Sequence, residues 1–126
     1  MLEAAILVVD DDASIRTTVS DVLDLEGYRV VTAANGVEAL EHVEQNPPAL
    51  VLLDMRMPVM DGWGFARELV RREVKVPILV MTAADNARAW AEEIGADGYV
   101  AKPFDLTDLI AAVGRLAPGG RAGSPS

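Results

Sequence analysis

The chain has 126 residues, 51% of them hydrophobic, and a formal net charge of −9 at pH 7. This length and apolar content suit one domain with a continuous core, whereas the acidic charge argues against nucleic-acid binding by this chain, because the phosphate backbone would repel it. The sequence contains no cysteine, which excludes disulfides and thiolate metal sites and fits a cytoplasmic location, and its apolar runs are too short for a signal-peptide core or a membrane span.

Short segments rich in Val, Ile and Leu alternate with longer segments of helical periodicity, which is the pattern of βα units around a parallel sheet. Five units are predicted in chain order. The strands are expected at 5–9, 28–33, 50–53, 78–81 and 99–101. The helices are expected at 14–26, from 36 to a point before Pro47, over about ten residues from Trp63, at 86–94 and at 106–116. Gly27 and Gly95 follow two of these helices, where glycine commonly ends a helix.

The predicted fold is α/β: a single (βα)5 domain over residues 1–117, with helices on both faces of a five-stranded parallel sheet. Parallel neighbours require right-handed crossovers, which leaves few windings, and the flavodoxin-like strand order 2-1-3-4-5 is the compact one. In that order the winding reverses between strands one and three, and ligands bind beyond the carboxyl ends of the strands at that point. The Gly-, Pro- and Ser-rich residues 118–126 are expected to form a disordered tail or the start of a linker.

Polar residues stand at the carboxyl ends of four predicted strands. Asp10 and Asp11 follow the first, Asp54 the third, Thr82 the fourth and Lys102 the fifth. Each alone is as readily a turn or capping residue, but together they bring three carboxylates, a hydroxyl and an ammonium to one edge of the sheet. Close carboxylates repel each other by about 4 kcal/mol at roughly 4 Å for an effective dielectric near 20, so they need a cation. Oxygen ligands without His or Cys favour Mg²⁺ or Mn²⁺.

This set of groups suits the acceptance of a phosphoryl group, which needs a carboxylate nucleophile, a divalent metal, a lysine and a hydroxyl donor. A structural salt bridge between Lys102 and an aspartate is the simpler alternative, but it leaves the position of Thr82 unexplained. Asp12 and Ser14 are both candidates to cap the first helix, and the sequence does not choose between them.

Four segments, in their order and spacing, resemble the receiver domains of two-component response regulators over residues 4–117. They are 6–11 (ILVVDD), 52–62 (LLDMRMPVMDG), 81–83 (MTA) and 98–104 (GYVAKPF). The resemblance implies a phosphorylation-dependent signalling switch rather than an enzyme. The phosphoryl donor would be a sensor histidine kinase or a histidine phosphotransfer protein, and the output an unidentified downstream protein. The domain would be monomeric or would dimerise on phosphorylation, and it would not bind a membrane.

The resemblance also implies roles for individual residues. Asp54 would be the phosphoacceptor, and Lys102 would contact the phosphate. Asp10, Asp11 and Asp54 would hold Mg²⁺ together with the backbone carbonyl of Arg56.

A switch is implied by the same resemblance. Thr82 would swing towards a new phosphoryl group, and Tyr99 would turn inward behind it, which would change the surface of helix four, strand five and helix five. Without the resemblance, Tyr99 would be interpreted as a half-buried strand residue. The Lys102–Pro103 peptide resembles the family's cis bond.

Four further residues bear on kinetics and packing. Arg56, two residues after Asp54, is placed to shield the phosphate from water or to hold another acidic group, and Ala84 offers nothing to orient an attacking water. Together they predict a long-lived phospho-form. Trp63 is expected to pack against the protein rather than stack on a ligand, and Trp90 to lie near the face that would signal to a partner.

Two other functions fit parts of the sequence. The DxDxS pattern at 10–14 is similar to the nucleophile motif of haloacid-dehalogenase-like phosphatases, with Asp10 as the nucleophile. That class leaves Asp54 without a role and needs a late acidic pair, for which Asp105 and Asp108 are the candidates. The other alternative is a receiver-like adaptor that binds its partner without being phosphorylated.

Overall fold

A computed structural model describes residues 4–83 and 85–117, and within them five strands alternate with five helices. The strands are β1 (Ile6–Val9), β2 (Val30–Ala33), β3 (Leu50–Asp54), β4 (Ile78–Ala83) and β5 (Gly98–Lys102). The helices are α1 (Ala13–Leu25), α2 (Gly36–Gln45), α3 (Gly62–Arg71), α4 (Ala87–Ile94) and α5 (Leu106–Leu116). All strands are parallel, in the order β2-β1-β3-β4-β5, which confirms the predicted fold and winding. The expected tail, 118–126, lies outside the described residues.

Two apolar cores lie on opposite faces of the sheet, because successive side chains of a strand point to opposite sides. In β1, Ile6 and Val8 belong to the core that α1 and α5 cover. Leu7 and Val9 belong to the other core, which packs against α2, α3 and α4. All four side chains are at most 1% exposed, so both faces of the sheet are covered and its carboxyl edge is left for polar groups.

The starts of α1 and α2 follow local capping rules. Asp12, rather than Ser14, caps α1, since its carboxylate accepts hydrogen bonds from the backbone N–H groups of Ser14 and Ile15. Asn35 and Glu38 form a reciprocal pair at the start of α2: Asn35 Oδ1 accepts from the N–H of Glu38 at 3.0 Å, and Glu38 Oε1 accepts from the N–H of Ala34 at 2.9 Å.

Among the described residues no helix has the length and apolar character needed to cross a bilayer.

Three strands run further towards the carboxyl edge than their apolar segments predict. Asp54 still pairs with Met81, and Ala83 still pairs with Lys102. The ladder continues because neighbouring parallel strands keep offering each other hydrogen-bonding groups after the buried run has ended. As a result, the predicted polar residues on β3, β4 and β5 stand on regular strand backbone rather than on loops.

Candidate functional site

Three carboxylates converge where β1 and β3 end. Asp10, Asp11 and Asp54 each offer an oxygen, and these oxygens all lie within 4.8 Å of one another. Asp10 is fully buried and Asp54 is 6% exposed, whereas Asp11 is exposed to solvent. The two strands are direct neighbours and pair up to Val9 and Leu53, so the residue that follows each pair emerges at the same point of the edge.

Lys102 brings a positive charge to this cluster from β5. Its ammonium lies 2.6 Å from Asp10 Oδ2 and 3.7 Å from Asp54 Oδ1. The salt bridge considered as the simpler alternative therefore exists, and the same ammonium also faces the proposed acceptor. One ammonium among three carboxylates leaves the formal charge of the cluster negative, and this charge favours a bound cation.

Two backbone contacts hold Asp10 in place. Its Oδ1 accepts a hydrogen bond from the N–H of Asp12 at 2.9 Å, and its carbonyl oxygen accepts one from Arg16 Nη1 at 2.7 Å. Sequence reasoning did not identify Arg16, whose only signal is a basic side chain on the helix that follows the acidic pair. The Asp12 N–H orients the buried carboxylate, and the Arg16 contact holds the backbone from which that carboxylate extends.

The pKa of Asp54 is raised from its ordinary value of 3.8 to about 6. Burial of the carboxyl is the largest cause, and the negative charge of Asp10 adds to it. The charge of Lys102 and the backbone N–H of Arg56 act in the opposite direction. A proton on Asp54 relieves its repulsion with Asp10, as a bound cation would. Because the pKa is about 6, the carboxylate is still the main form of Asp54 at neutral pH.

Thr82 and Tyr99 stand in different relations to the cluster. Thr82 is 3% exposed and lies one residue beyond Met81, which pairs with Asp54, so its register places it at the same edge on the adjacent strand. Tyr99 pairs with Val80, and its side chain is 45% exposed. The four charged residues are therefore brought together, Thr82 lies beside them by register, and Tyr99 is on the surface.

The loop after β3 is packed rather than solvated over most of its length. Met55 is fully buried, and Met57 and Met60 pack against the core. Gly62 closes the loop, since its N–H donates to the Met55 carbonyl at 3.0 Å, and a Cβ at this position would lie 2.9 Å from the Met55 Cα. Arg56, Pro58 and Val59 are exposed, and Val59 has 81% exposure and a φ of 71°.

The side chain of Arg56 points towards α4. Its guanidinium carbon lies 5.0 Å from the ring centroid of Trp90. Trp90 meets Trp63 of α3 edge to face, with 4.8 Å between centroids and 68° between planes, and Trp63 Nε1 donates to Glu93 Oε2 at 3.2 Å. Trp63 packs against the protein as predicted. Ala84, the other residue of the lifetime hypothesis, lies outside the described residues.

Two remaining sequence expectations have structural counterparts. The Lys102–Pro103 peptide is cis, as the resemblance implied. Asp105, one half of the acidic pair that a phosphatase would need, is the N-cap of α5, and its carboxylate accepts from the Thr107 N–H at 2.7 Å. A helix-capping role accounts for Asp105 without a metal.

Comparison with known proteins places the chain in a family. The model of the response regulator receiver domain matches residues 6–114. The probable transcriptional regulator ycf27 of Porphyra purpurea is 48% identical over 110 residues, which are 86% of this chain and 45% of that protein. Response regulator MprA of Mycobacterium sp. (strain KMS) is 42% identical over 113 residues, which are 88% of this chain and 49% of the relative. The chain thus spans about half the length of these curated relatives.

Solved structures agree. The chemotaxis protein CheY4 of Vibrio cholerae has a TM-score of 0.80 and 34% identity, with coverage of 91% of this chain and 99% of that one. The receiver domain of NtrX from Brucella abortus has a TM-score of 0.82 and 30% identity, with the same two coverages, 91% and 99%. The chain belongs to the response regulator receiver domain family of two-component signalling.

Proposed function

We propose that this chain is a phosphorylation-dependent switch in which Asp54 accepts a phosphoryl group from a sensor histidine kinase or a histidine phosphotransfer protein. The observation that carries the proposal is the cluster at the sheet edge. A largely buried carboxylate with a raised pKa lies within reach of two further carboxylates and of an ammonium. These groups are the nucleophile and the charge-neutralising partners that phosphoryl transfer needs.

The donor set suits Mg²⁺ or Mn²⁺. Oxygens of Asp10, Asp11 and Asp54 lie within 4.8 Å of one another, and their mutual repulsion is part of the reason why the pKa of Asp54 is raised. We assign these three carboxylates and the backbone carbonyl of Arg56 as the protein's metal ligands. Mg²⁺, when bound, supplies positive charge next to the phosphoryl oxygens and leaves room for them in its coordination sphere.

The reaction itself is a displacement at phosphorus. A carboxylate oxygen of Asp54 forms the new P–O bond while the P–N bond of the donor phosphohistidine breaks, and the electron pair of that bond stays on the imidazole nitrogen. Asp54 must be ionised to act as the nucleophile, which its pKa of about 6 allows at neutral pH. Lys102 neutralises charge on the phosphoryl oxygens, and the Thr82 hydroxyl donates a hydrogen bond to one of them.

The output is a change of surface. The hydrogen bond from Thr82 to the phosphoryl group favours one arrangement of its loop, and Tyr99, which is 45% exposed in the structure, then moves inward. This population shift alters the face formed by α4, β5 and α5. The chain supports its own phosphorylation and dephosphorylation and turns over no separate substrate.

The partners follow from charge and from the relatives. The curated relatives named above are a probable transcriptional regulator and a response regulator, each about twice as long as the matched region. The net charge of −9 disfavours DNA contact by this chain itself. We therefore propose that its phosphorylation controls a protein partner or an attached output region.

Intact-mass measurement tests the proposal. The purified chain is treated with a small acyl phosphate and Mg²⁺, and we expect a gain of one phosphoryl unit that hydroxylamine removes. The Asp54→Asn variant should gain none, whereas Asp21→Asn, at an exposed position on α1, should behave as the unaltered chain. Equal labelling of Asp54→Asn would refute the assignment of the acceptor.

The adaptor alternative makes a different prediction. If partner binding responds to phosphodonor in the unaltered chain and not in Asp54→Asn, the chain is a switch. If binding never responds although mass shows labelling, the site is intact but the partner ignores it, which is what an adaptor requires. The haloacid-dehalogenase-like alternative is disfavoured by the family match over residues 6–114 and by the capping role of Asp105.

The lifetime of the phospho-form is a separate proposal. We expect slow hydrolysis because the Arg56 side chain would shield the phosphate from water and Ala84 offers no group that orients an attacking water. Decay should be faster in Arg56→Met and Ala84→Glu, measured by loss of the phosphoryl mass at intervals. Unchanged or slower decay in both variants counts against the proposal.

A further inference from the structure

Arg56 touches two parts of the molecule at once. Its backbone N–H contributes to lowering the pKa of Asp54, so its main chain borders the pocket. Its guanidinium instead lies 5.0 Å from the centre of the Trp90 ring on α4. One residue therefore links the loop that follows Asp54 to α4, a helix of the proposed output face.

Trp90 is itself held from the side. Trp63, the second residue of α3, meets it edge to face at 4.8 Å. The indole N–H of Trp63 donates to Glu93, which lies three residues after Trp90 on the same helix. The Trp63 ring and its hydrogen bond to Glu93 thus hold the Trp90 ring on which the guanidinium rests.

The contact acts where the loop has few other restraints. Arg56 is exposed, and the neighbouring Val59 is 81% exposed and has a φ of 71°, in the left-handed region that β-branched residues avoid. The methionines pack the inner side of the loop, whereas the cation–π contact ties its outer side to α4. A cation over an aromatic face is attracted by the quadrupole of the ring, most strongly for tryptophan.

We infer that Trp90 is a positioning residue for the pocket: by holding the Arg56 side chain, it holds the Arg56 backbone in the place where its N–H contacts Asp54. The inference rests on the proposed function, since the metal ligand it concerns is the Arg56 carbonyl. Because the coupling is reciprocal, binding of a ligand in the pocket must also change the environment of the Trp90 ring.

A Mg²⁺ titration of the ¹⁵N-labelled protein tests the inference without any phosphoryl donor. The chain has two tryptophans, so two indole N–H signals are expected, and a Trp63→Phe variant assigns them. We expect the Trp90 indole signal to shift with the same midpoint as the backbone amides of Asp54 and Arg56.

Variants then measure the strength of the coupling. Loss of an exposed cation–π contact should weaken Mg²⁺ binding by roughly two- to fivefold in Trp90→Leu. Trp90→Tyr, which keeps an aromatic face, should bind more tightly than Trp90→Leu. Arg88→Gln is the matched control, because Arg88 lies on the same helix and, within residues 4–83 and 85–117, forms an ion pair only with the exposed Glu92. This variant should bind Mg²⁺ as the unaltered chain does.

A double-mutant cycle separates positioning from general packing. Arg56→Met removes a positive charge near the carboxylates and therefore changes Mg²⁺ affinity by itself. The cycle removes this effect by comparing Trp90→Leu in the Arg56→Met background with Trp90→Leu in the unaltered background. The inference requires that Trp90→Leu then causes no further loss of affinity. A loss equal to that in the unaltered background would overturn it.

The outcomes also distinguish this inference from the proposed function. If the Asp54 and Arg56 amides shift with Mg²⁺ but the Trp90 indole stays fixed, the positioning role is wrong and the metal site stands. If no pocket amide responds to Mg²⁺, the metal site is wrong and the inference fails with it. Should Trp90→Leu not fold, the indole shift in the unaltered chain and the affinity of Trp90→Tyr still decide the matter.

Discussion

Replacing the proposed phosphoacceptor by its neutral isostere should make the protein more stable. In the folded chain the pKa of Asp54 is raised from 3.8 to about 6, chiefly because the carboxyl is buried and secondly because Asp10 is close. The folded state therefore holds a proton on Asp54 more tightly than the unfolded chain does. The stabilising contribution of the protonated form is complete below about pH 3.8 and is lost as pH rises through about 6.

The size of the effect follows from this difference. Each unit of pKa corresponds to about 1.4 kcal/mol, so a fully buried group shifted this far would destabilise the folded protein by about 3 kcal/mol at neutral pH. Solvent at the mouth of the pocket screens part of the interaction, which lowers the expected gain for Asp54→Asn to about 1–2 kcal/mol. Asparagine keeps the shape of the side chain and carries no charge at any pH of interest.

Urea unfolding followed by the fluorescence of Trp63 and Trp90 measures the difference. Near pH 7.5 and without metal, Asp54→Asn should exceed the unaltered chain in free energy of unfolding by this amount. The difference should shrink at pH 5 and be nearly gone at pH 4. At pH 7.5, added Mg²⁺ should reduce this difference between the two free energies of unfolding. The unaltered chain keeps all three carboxylates and is stabilised more by the bound metal, since a ligand that binds the folded state stabilises that state by mass action.

The exposed Asp21 on α1 provides the matched control. Asp21→Asn should change the free energy of unfolding by less than about 0.5 kcal/mol both at pH 7.5 and at pH 4. The reasoning is refuted if Asp54→Asn is as stable as the unaltered chain, or less stable, near pH 7.5 without metal. It is also refuted if the gain does not depend on pH, because a packing effect of the amide would persist at pH 4.

Three further predictions concern the pocket and the backbone around it. The affinity for Mg²⁺ should rise as pH increases through about 6, because protons compete with the metal for Asp54; calorimetric titration at pH 5 and pH 7 checks this, and equal affinities contradict it. Val59→Gly should raise the free energy of unfolding by up to about 1 kcal/mol. Relief of the strained left-handed φ of 71° outweighs the greater chain entropy of glycine, and little packing is lost because Val59 is 81% exposed. A lower free energy of unfolding in urea would show that the contacts of Val59 outweigh its strain. Gly62→Ala should destabilise the folded protein by about 2 kcal/mol or more, because a Cβ at this position would lie 2.9 Å from the Met55 Cα. Gly114→Ala in α5 should stabilise it by about 0.5–1 kcal/mol, because the new Cβ would lie no closer than 3.9 Å to Tyr28 Oη. Melting temperatures that move in the same direction for both variants would contradict the packing argument.

The sequence by itself determined the fold and the candidate site residues, because their signals are local. Buried parallel strands appear in the sequence as short apolar runs, and the helices between them show periodicity, with Gly27 after α1, Pro47 shortly after α2 and Gly95 after α4. Once the strand order followed from the rules of crossover connections, the carboxyl ends of β1, β3, β4 and β5 had to share one edge. Asp10, Asp54, Thr82 and Lys102 could therefore be placed together before any coordinates were considered.

Only the tertiary structure decided how these side chains are partnered and buried. Lys102 lies 2.6 Å from a carboxylate 92 positions away in sequence, Asp12 rather than Ser14 caps α1, and the carbonyl of Asp10 receives a hydrogen bond from Arg16. From the sequence, Arg56 was predicted to shield a phosphate or to hold an acidic group. In the structure its guanidinium lies over the ring of Trp90 on α4. Side-chain direction and burial depend on neighbours that are distant along the chain, and strand periodicity carries no information about which of several nearby partners a charged group will choose.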